Sequence, residues 1–468
     1  MRTDMTYFFE TYGCEMNIAE SAAVEQLLIA RGWTKSESAQ TATLAIINTC
    51  SIRETAENRI IGRLGWVNGL KAVRECKNGA KTKMLEEAVE YVKNGPKPLT
   101  LVVMGCMAER LLKDFQKNFP FVDYVVGTYA KHHFSEIIEA VEEGRKAFEV
   151  DDTENYKFAS VSAEPGHFST FVPIMHGCNN FCTYCIVPYV RGREISRPAG
   201  DILKEIDVLG KMNVREITLI GQNVNSYMGA MKEGENPCIN FASLLSIVAE
   251  HLRQTKSPIK WVRFMSSHPK DFTDDVIDVI AKEDVICHHI HLPVQHGSSR
   301  VLKAMNRRYT REHYLDLVKK IKTKIPEVSL TTDIMMGFPG ETEEDVELTL
   351  DLMRQVKYES AMMYFYNPRE GTPASKEKQL PVEVRKERLQ RVIDLQIEHT
   401  REQMSKRVGK TVRTLVEGVS RDNKMELLGQ TERHEKIAFE ASSSLIGTFV
   451  DVKITQLSGN TFRGEIAN

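Results

Sequence analysis

At 468 residues the chain is too long for one ordinary domain and is expected to form about three units. Its 42% hydrophobic and 27% charged residues describe a globular protein, and no apolar run approaches the roughly 20 residues of a membrane span. A net charge of −2 excludes a uniformly basic nucleic-acid coat, so any RNA contact must come from local basic patches.

Residues 1–14 carry no basic head followed by an apolar segment, so a cytoplasmic protein is expected. Nine cysteines, an odd number, read in a reducing compartment as metal ligands or buried thiols rather than disulfides. The first unit, 4–145, alternates short apolar runs with helical stretches at 19–31 and 55–64, the pattern of a parallel α/β sheet. Three of its runs end in cysteine: 7–9 leads to Cys14, 44–47 to Cys50 and 101–104 to Cys106. Ligand sites of open α/β sheets form beyond the carboxyl ends of such strands, so thiols distant in sequence can converge there. Gly13 and Gly105 directly precede two of them. Cys76, Cys238 and Cys287 break the pattern and are read as structural or incidental. Residues 71–98, with the lysine-rich run 77–83, read as a charged connector or helix, and 146–165 as a linker.

The second unit, 166–402, repeats strand and helix. Strands are expected at 171–175, 216–220, 261–265, 289–294, 329–336 and 361–366, with helices at 201–209, 241–252, 274–281, 314–321 and 343–356. Six βα repeats point to a partial (β/α)6 barrel, whose strand exits share one rim. The first exit, His176–Cys185, holds Cys178, Cys182 and Cys185 as CxxxCxxC. Three thiolates can hold three irons of a cubane and leave the fourth open to another ligand, whereas structural zinc wants four closed ligands. At a later exit, 337–342, Thr342 and Asp345 form a capping pair, and Gly337 and Gly340 permit close backbone approach to a ligand. The third unit, 403–468, shows five short strands separated by polar turns, a small antiparallel barrel of the oligonucleotide-binding kind. Its three phenylalanines are expected in the core; nearby Arg401, Lys406, Arg407, Lys410 and Arg413 are the basic residues available for RNA.

The triplet with Tyr184 before its last cysteine resembles the radical S-adenosylmethionine (SAM) superfamily. The three units in this order resemble the methylthiotransferases: an N-terminal three-cysteine domain, a radical SAM barrel and a C-terminal TRAM domain. Residues 48–54 (NTCSIRE), 190–198 (VRGREISRP), 221–225 (GQNVN) and 266–269 (SSHP) match the MiaB type, which acts on tRNA. The resemblance implies methylthiolation at C2 of N6-isopentenyladenosine next to the anticodon, with two [4Fe–4S] clusters and two SAM molecules. It gives Cys178, Cys182 and Cys185 the cluster that cleaves SAM, and Cys14, Cys50 and Cys106 a second cluster that carries sulfur. It places Tyr184, Gln222, Asn223, Gln295, Gly337 and Gly340 around SAM. Arg191, Arg193 and Arg197 are the expected contacts to phosphates of the tRNA anticodon stem-loop. An electron donor such as flavodoxin or ferredoxin, no membrane and a monomeric state complete the expectation. The alternative is the same chemistry on an aspartate of a ribosomal protein.

Overall fold

The computed structural model describes residues 5–51, 54–75, 92–93, 98–145, 150, 156–159, 161–163, 166–421 and 423–467. Cys76, the run 77–83, Ile52, Arg53 and most of the expected linker 146–165 lie outside the described residues. The chain forms two compact units. The first is Met1–Pro165 with Phe171–Gly177 and Ile186–Ile195, and the second is Gly166–Thr170, Cys178–Cys185 and Ser196–Asn468.

In the first unit, five strands form one sheet in the order Thr34–Lys35, Thr6–Thr11, Leu44–Thr49, Thr100–Gly105 and Tyr124–Val126. Every pairing is parallel. Leu44–Thr49 is buried at each position, as a central strand covered on both faces must be. Its side chains alternate between two cores. Ala45 and Ile47 meet Ile60, Leu64 and Val67 of the helix Glu54–Arg74. Leu44 and Ile46 meet Val24 and Leu28 of the helix Glu15–Ala30, with Ile137 and Ile138 of Phe134–Glu143. The three cysteine-bearing strands are therefore neighbours at the centre of the sheet.

The βα strands follow the order Ser169–Pro173, Glu216–Ile220, Trp261–Phe264 and then His289–His291, Ser329–Met336 and Ser360–Phe365, all in the second unit except Phe171–Pro173. Isolated parallel bridges at Val262–Ile286 and Gln295–Ile334 extend the ladders. The helices Ala199–Lys211, Phe241–Gln254, Asp274–Lys282, Arg311–Lys324 and Glu343–Val356 fall where periodicity placed them. Thr342 and Asp345 form the expected capping box. A further helix, Val382–Ser405, was not among the expected elements.

Five strands between Thr411 and Ile466 close into a barrel around Val412, Val416, Ile437, Phe439, Val452 and Phe462. This barrel sits against the amino-terminal ends of the βα strands. Arg215, just before Glu216–Ile220, donates to Gly447 O at 3.0 Å, and His288 N donates to Glu432 Oε1 at 3.2 Å. Arg433 pairs with Glu359 at 2.8 Å, just before Ser360–Phe365. The same contact corrects two expectations. Phe449 is not core to the small barrel: it packs edge-on to Trp261 at 4.8 Å, with Arg413 over its ring at 4.6 Å. Arg407 and Lys410 pair with Glu327, and Lys406 with Glu402, so most of the basic run offered for RNA is engaged within the protein.

Candidate functional site

The site of the first unit is built at three adjacent strand ends. Gly105 has φ +97°, and a Cβ there would lie 2.4 Å from Asn48 Oδ1 and 2.5 Å from Thr49 O. Gly13, at φ +147°, would place one 2.6 Å from Asn17 Oδ1 and 3.1 Å from Cys50 Cβ. Only glycine fits at either position, so the Gly-Cys pairs reflect close approach of neighbouring strand exits. Cys50 and Cys106 are buried, and Cys14 is half-buried with its thiol donating to Asn17 Oδ1 at 3.3 Å. Asn17 Nδ2 in turn donates to Asn48 Oδ1 at 2.8 Å and Thr49 O at 3.1 Å, which locks the first exit to the second. Burial pushes the Cys14 thiol up, and the Arg191 guanidinium opposes that shift.

Among the described residues, no three Cys, His, Asp or Glu side chains form a single-ion site. Parallel strands lie about 4.8 Å apart, so three thiols over three strand ends spread across roughly 10 Å. That is the scale of a cluster rather than of one tetrahedral ion, and an all-sulfur donor set suits iron–sulfur chemistry.

The second unit holds the other triplet. Cys178 and Cys182 are buried and Cys185 is half-buried. The loop is pinned from below: Asn306 Nδ2 donates to Asn180 O (3.1 Å) and Phe181 O (3.0 Å), and Thr183 N donates to Met305 O (3.1 Å). Arg307, which sequence reasoning missed, is the centre of this anchoring. Its Nη1 reaches Cys182 Sγ and Tyr184 OH, each at 3.5 Å, its Nε donates to Tyr309 OH at 3.1 Å, and its Nη2 donates to Pro293 O at 3.0 Å. Burial raises the Tyr184 hydroxyl well above its ordinary range, so it stays protonated.

Two other exits present unpaired polar atoms. Gln222 Oε1, Asn223 Oδ1, Asn225 Nδ2, Ser267 Oγ and His268 Nε2 are buried with no hydrogen-bond partner. Buried polar groups are nearly always paired, so a cluster of orphans marks a cradle for a polar ligand. His268 Nδ1 accepts from Lys270 N at 3.2 Å, which assigns the proton to Nε2 and makes that atom an unpaired donor. Ser266 and Gln295 hold left-handed conformations, φ +70° and +66°, strain of the kind that collects at ligand sites. Gly337 has a packing reason for its φ of +73°, since a Cβ there would strike Arg385 Cγ at 2.3 Å, whereas Gly340 faces open space.

The arginine expectations divide. Arg193 is exposed. Arg191 and Arg197 are corrections: they are only 2% and 3% exposed and cannot form an RNA-facing surface. Arg191 is clamped by Glu20 through Nη1–Oε1 at 2.7 Å and Nη2–Oε2 at 3.3 Å, while Arg197 pairs with buried Glu205.

Burial holds His268 and His289 far below the ordinary imidazole range, with Arg307 acting on the first and His434 on the second. The unfolded chain takes up these protons near pH 6.5 and the folded chain does not. Their contribution is therefore complete above pH 6.5 and declines as pH falls, by up to about 1.4 kcal/mol per pH unit for each histidine. Urea midpoints of the cofactor-free protein should drop between pH 7.5 and 5.5; equal midpoints would mean that both rings are charged in the fold.

Three family models match in chain order: uncharacterized protein family UPF0004 over 6–127, the radical SAM superfamily over 172–353 and the TRAM domain over 405–467. A Treponema denticola protein named tRNA-2-methylthio-N(6)-dimethylallyladenosine synthase is 49% identical, covering 99% of this chain and 100% of its own length. The chain belongs to the MiaB-type radical SAM methylthiotransferases. A second methylthiotransferase of the same name, from Bacteroides thetaiotaomicron, is 44% identical across 98% of this chain and 95% of its own. Among solved structures, a radical S-adenosylmethionine methyltransferase, TsrM, from Kitasatospora setae, superposes with a TM-score of 0.55. It covers 80% of this chain and 77% of its own at 12% identity, a likeness of fold alone. No helix among the described residues is long and apolar enough to cross a membrane.

Proposed function

We propose that this chain is the tRNA methylthiotransferase that installs a methylthio group at C2 of N6-isopentenyladenosine next to the anticodon. The observation that carries the reading is near-full-length identity with synthases named for that product, in a chain with two separate three-cysteine sets. The relatives described above are named for the tRNA reaction rather than for the ribosomal-protein alternative. Cys178, Cys182 and Cys185 would hold one [4Fe–4S] cluster with SAM at its open iron, and Cys14, Cys50 and Cys106 a second. When bound, these groups supply the electron that cleaves one SAM to a 5′-deoxyadenosyl radical, and the sulfur that a second SAM methylates.

The protein's own part is positioning. Arg307 fixes Cys182 and Tyr184 relative to the next exits. Gln222, Asn223, Ser267 and the Nε2 proton of His268 would pair with the polar groups of SAM or the substrate base. Gln295, at its strained φ, would join them on the same rim. The working parts proposed are 4–145, a linker 146–165, 166–402 and 403–468, in a cytoplasmic monomer that receives electrons from a flavodoxin or ferredoxin.

The test is mass spectrometry of tRNA nucleosides from a host lacking this protein, before and after the gene is restored. The 2-methylthio product should appear only on restoration; an unchanged nucleoside profile would end the tRNA reading. Arg193 remains the proposed phosphate contact. Arg193→Ala should weaken tRNA binding and reduce the salt slope of log K by about 0.7–0.9, with no change in slope ruling that contact out.

A further inference from the structure

The first unit contains a buried charge cluster that the proposed reaction does not use. Glu20, on the helix that Cys14 caps, is bonded at both oxygens by Arg191, and Lys131 pairs with the same carboxylate. The side chains of Arg191 and Glu20 are 2% and 4% exposed, and that of Lys131 is 13% exposed. Neighbouring bonds fix the backbone that carries the arginine: Tyr129 OH donates to Arg191 O at 2.9 Å, and Thr128 Oγ1 donates to Val190 O at 2.8 Å. Two cations and one carboxylate leave a formal charge of +1.

A bidentate arginine–carboxylate pair is neutral and can be buried by itself. A third, uncompensated charge in the same place is costly unless an anion faces it. Both partners of the pair adjoin the cysteines: Cys106 packs with Val190, the residue before Arg191, and Cys14 caps the helix that carries Glu20. Glu109, beside Cys106, accepts from Thr128 N at 2.7 Å and is only half-buried. A [4Fe–4S]²⁺ core on three thiolates has a formal charge of −1, so cluster and triad together sum to zero.

We infer that Arg191, held by Glu20 and joined by Lys131, is the charge-compensating residue of the three-cysteine site and sets how readily its cluster accepts an electron. The inference rests on Cys14, Cys50 and Cys106 holding a cluster. A fixed positive charge favours the more negative, reduced form, so removing it makes reduction harder. Removing Glu20 leaves both cations unopposed and makes reduction easier. The two changes therefore move the midpoint in opposite directions, which loss of packing alone would not do.

The experiment uses the full chain with Cys178, Cys182 and Cys185 all changed to Ala, reconstituted anaerobically with iron and sulfide. Dithionite supplies one electron to the cluster core with no bond made or broken, and electron paramagnetic resonance follows the reduced form. On this background, Arg191→Met and Lys131→Met should shift the midpoint negative and Glu20→Gln positive, with Arg191→Lys restoring most of the original value. Midpoints that coincide, or that all move the same way, overturn the inference. If Arg191→Met does not fold, the opposed shifts of Lys131→Met and Glu20→Gln decide. A background protein that takes up no iron means the three-cysteine reading has failed, and the inference falls with it.

Discussion

Cys14→Ala is expected to form no 2-methylthio nucleoside while still cleaving SAM, and Cys182→Ala to do neither. Cys182 lies in the pinned loop with Arg307 at 3.5 Å, and its thiolate is one of the three proposed to hold the radical SAM cluster. Cys14 belongs to a different unit, at a different sheet. Loss of either thiol should lower product formation by at least ~10³-fold, since no side-chain acid or base substitutes for radical chemistry at an aromatic carbon. Nucleoside mass spectrometry reads the product, and 5′-deoxyadenosine release reads SAM cleavage. Iron should fall from about eight to about four atoms per chain in each three-cysteine deletion. Normal methylthiolation by Cys14→Ala would refute the role given to the first unit.

The largest effect on stability is expected at Arg263. Its guanidinium is buried, bonds Glu216 at 2.9 Å and donates to the carbonyls of Thr431 (2.9 Å) and Glu432 in the small barrel. Arg263→Met strands the Glu216 carboxylate, itself only 4% exposed, and takes a donor from two carbonyls, of which Thr431 O keeps His434 N at 3.0 Å. Breaking one side of a buried pair costs about 3–5 kcal/mol. Removing both charges, with Arg263→Met and Glu216→Leu together, should cost less than Arg263→Met alone, because no buried charge is then left over. Chemical denaturation of the three variants measures this. A double variant less stable than Arg263→Met would show that the ion pair itself, and not the stranded carboxylate, carries the energy.

Local features of the sequence account for much of this structure. Continuous apolar runs such as 44–47 read as buried parallel strands because both faces are covered, and the cysteine after each run marks the strand exit. Thr342 and Asp345 are three residues apart, so their capping box is written in one turn of chain. Long-range partners are what the sequence hides. Arg191 reads as a surface cation beside Arg193, yet its carboxylate partner lies 171 positions away in the chain. One clue was available: Asn17, Glu20 and Ser21 follow Cys14 at helical spacing, a polar stripe that the fold buries. Arg307 carries no comparable signal, because Pro293 O, Cys182 Sγ and Tyr184 OH all come from other loops. The helix Val382–Ser405 is rich in charge and buries only scattered positions, which weakens its periodic pattern.

The seat of the small barrel sets a minimum length for any substrate held there while it is modified. It covers the amino-terminal ends of strands whose opposite ends carry Cys178–Cys185, Gln222 and His268. The strands that lead to those exits, Ser169–Pro173, Glu216–Ile220 and Trp261–Phe264, are 5, 5 and 4 residues long, so the two ends are roughly 13–17 Å apart at about 3.3 Å per residue. A substrate held by the barrel and modified at the opposite rim must be at least that long, which a paired stem carrying its loop satisfies and a free nucleoside does not.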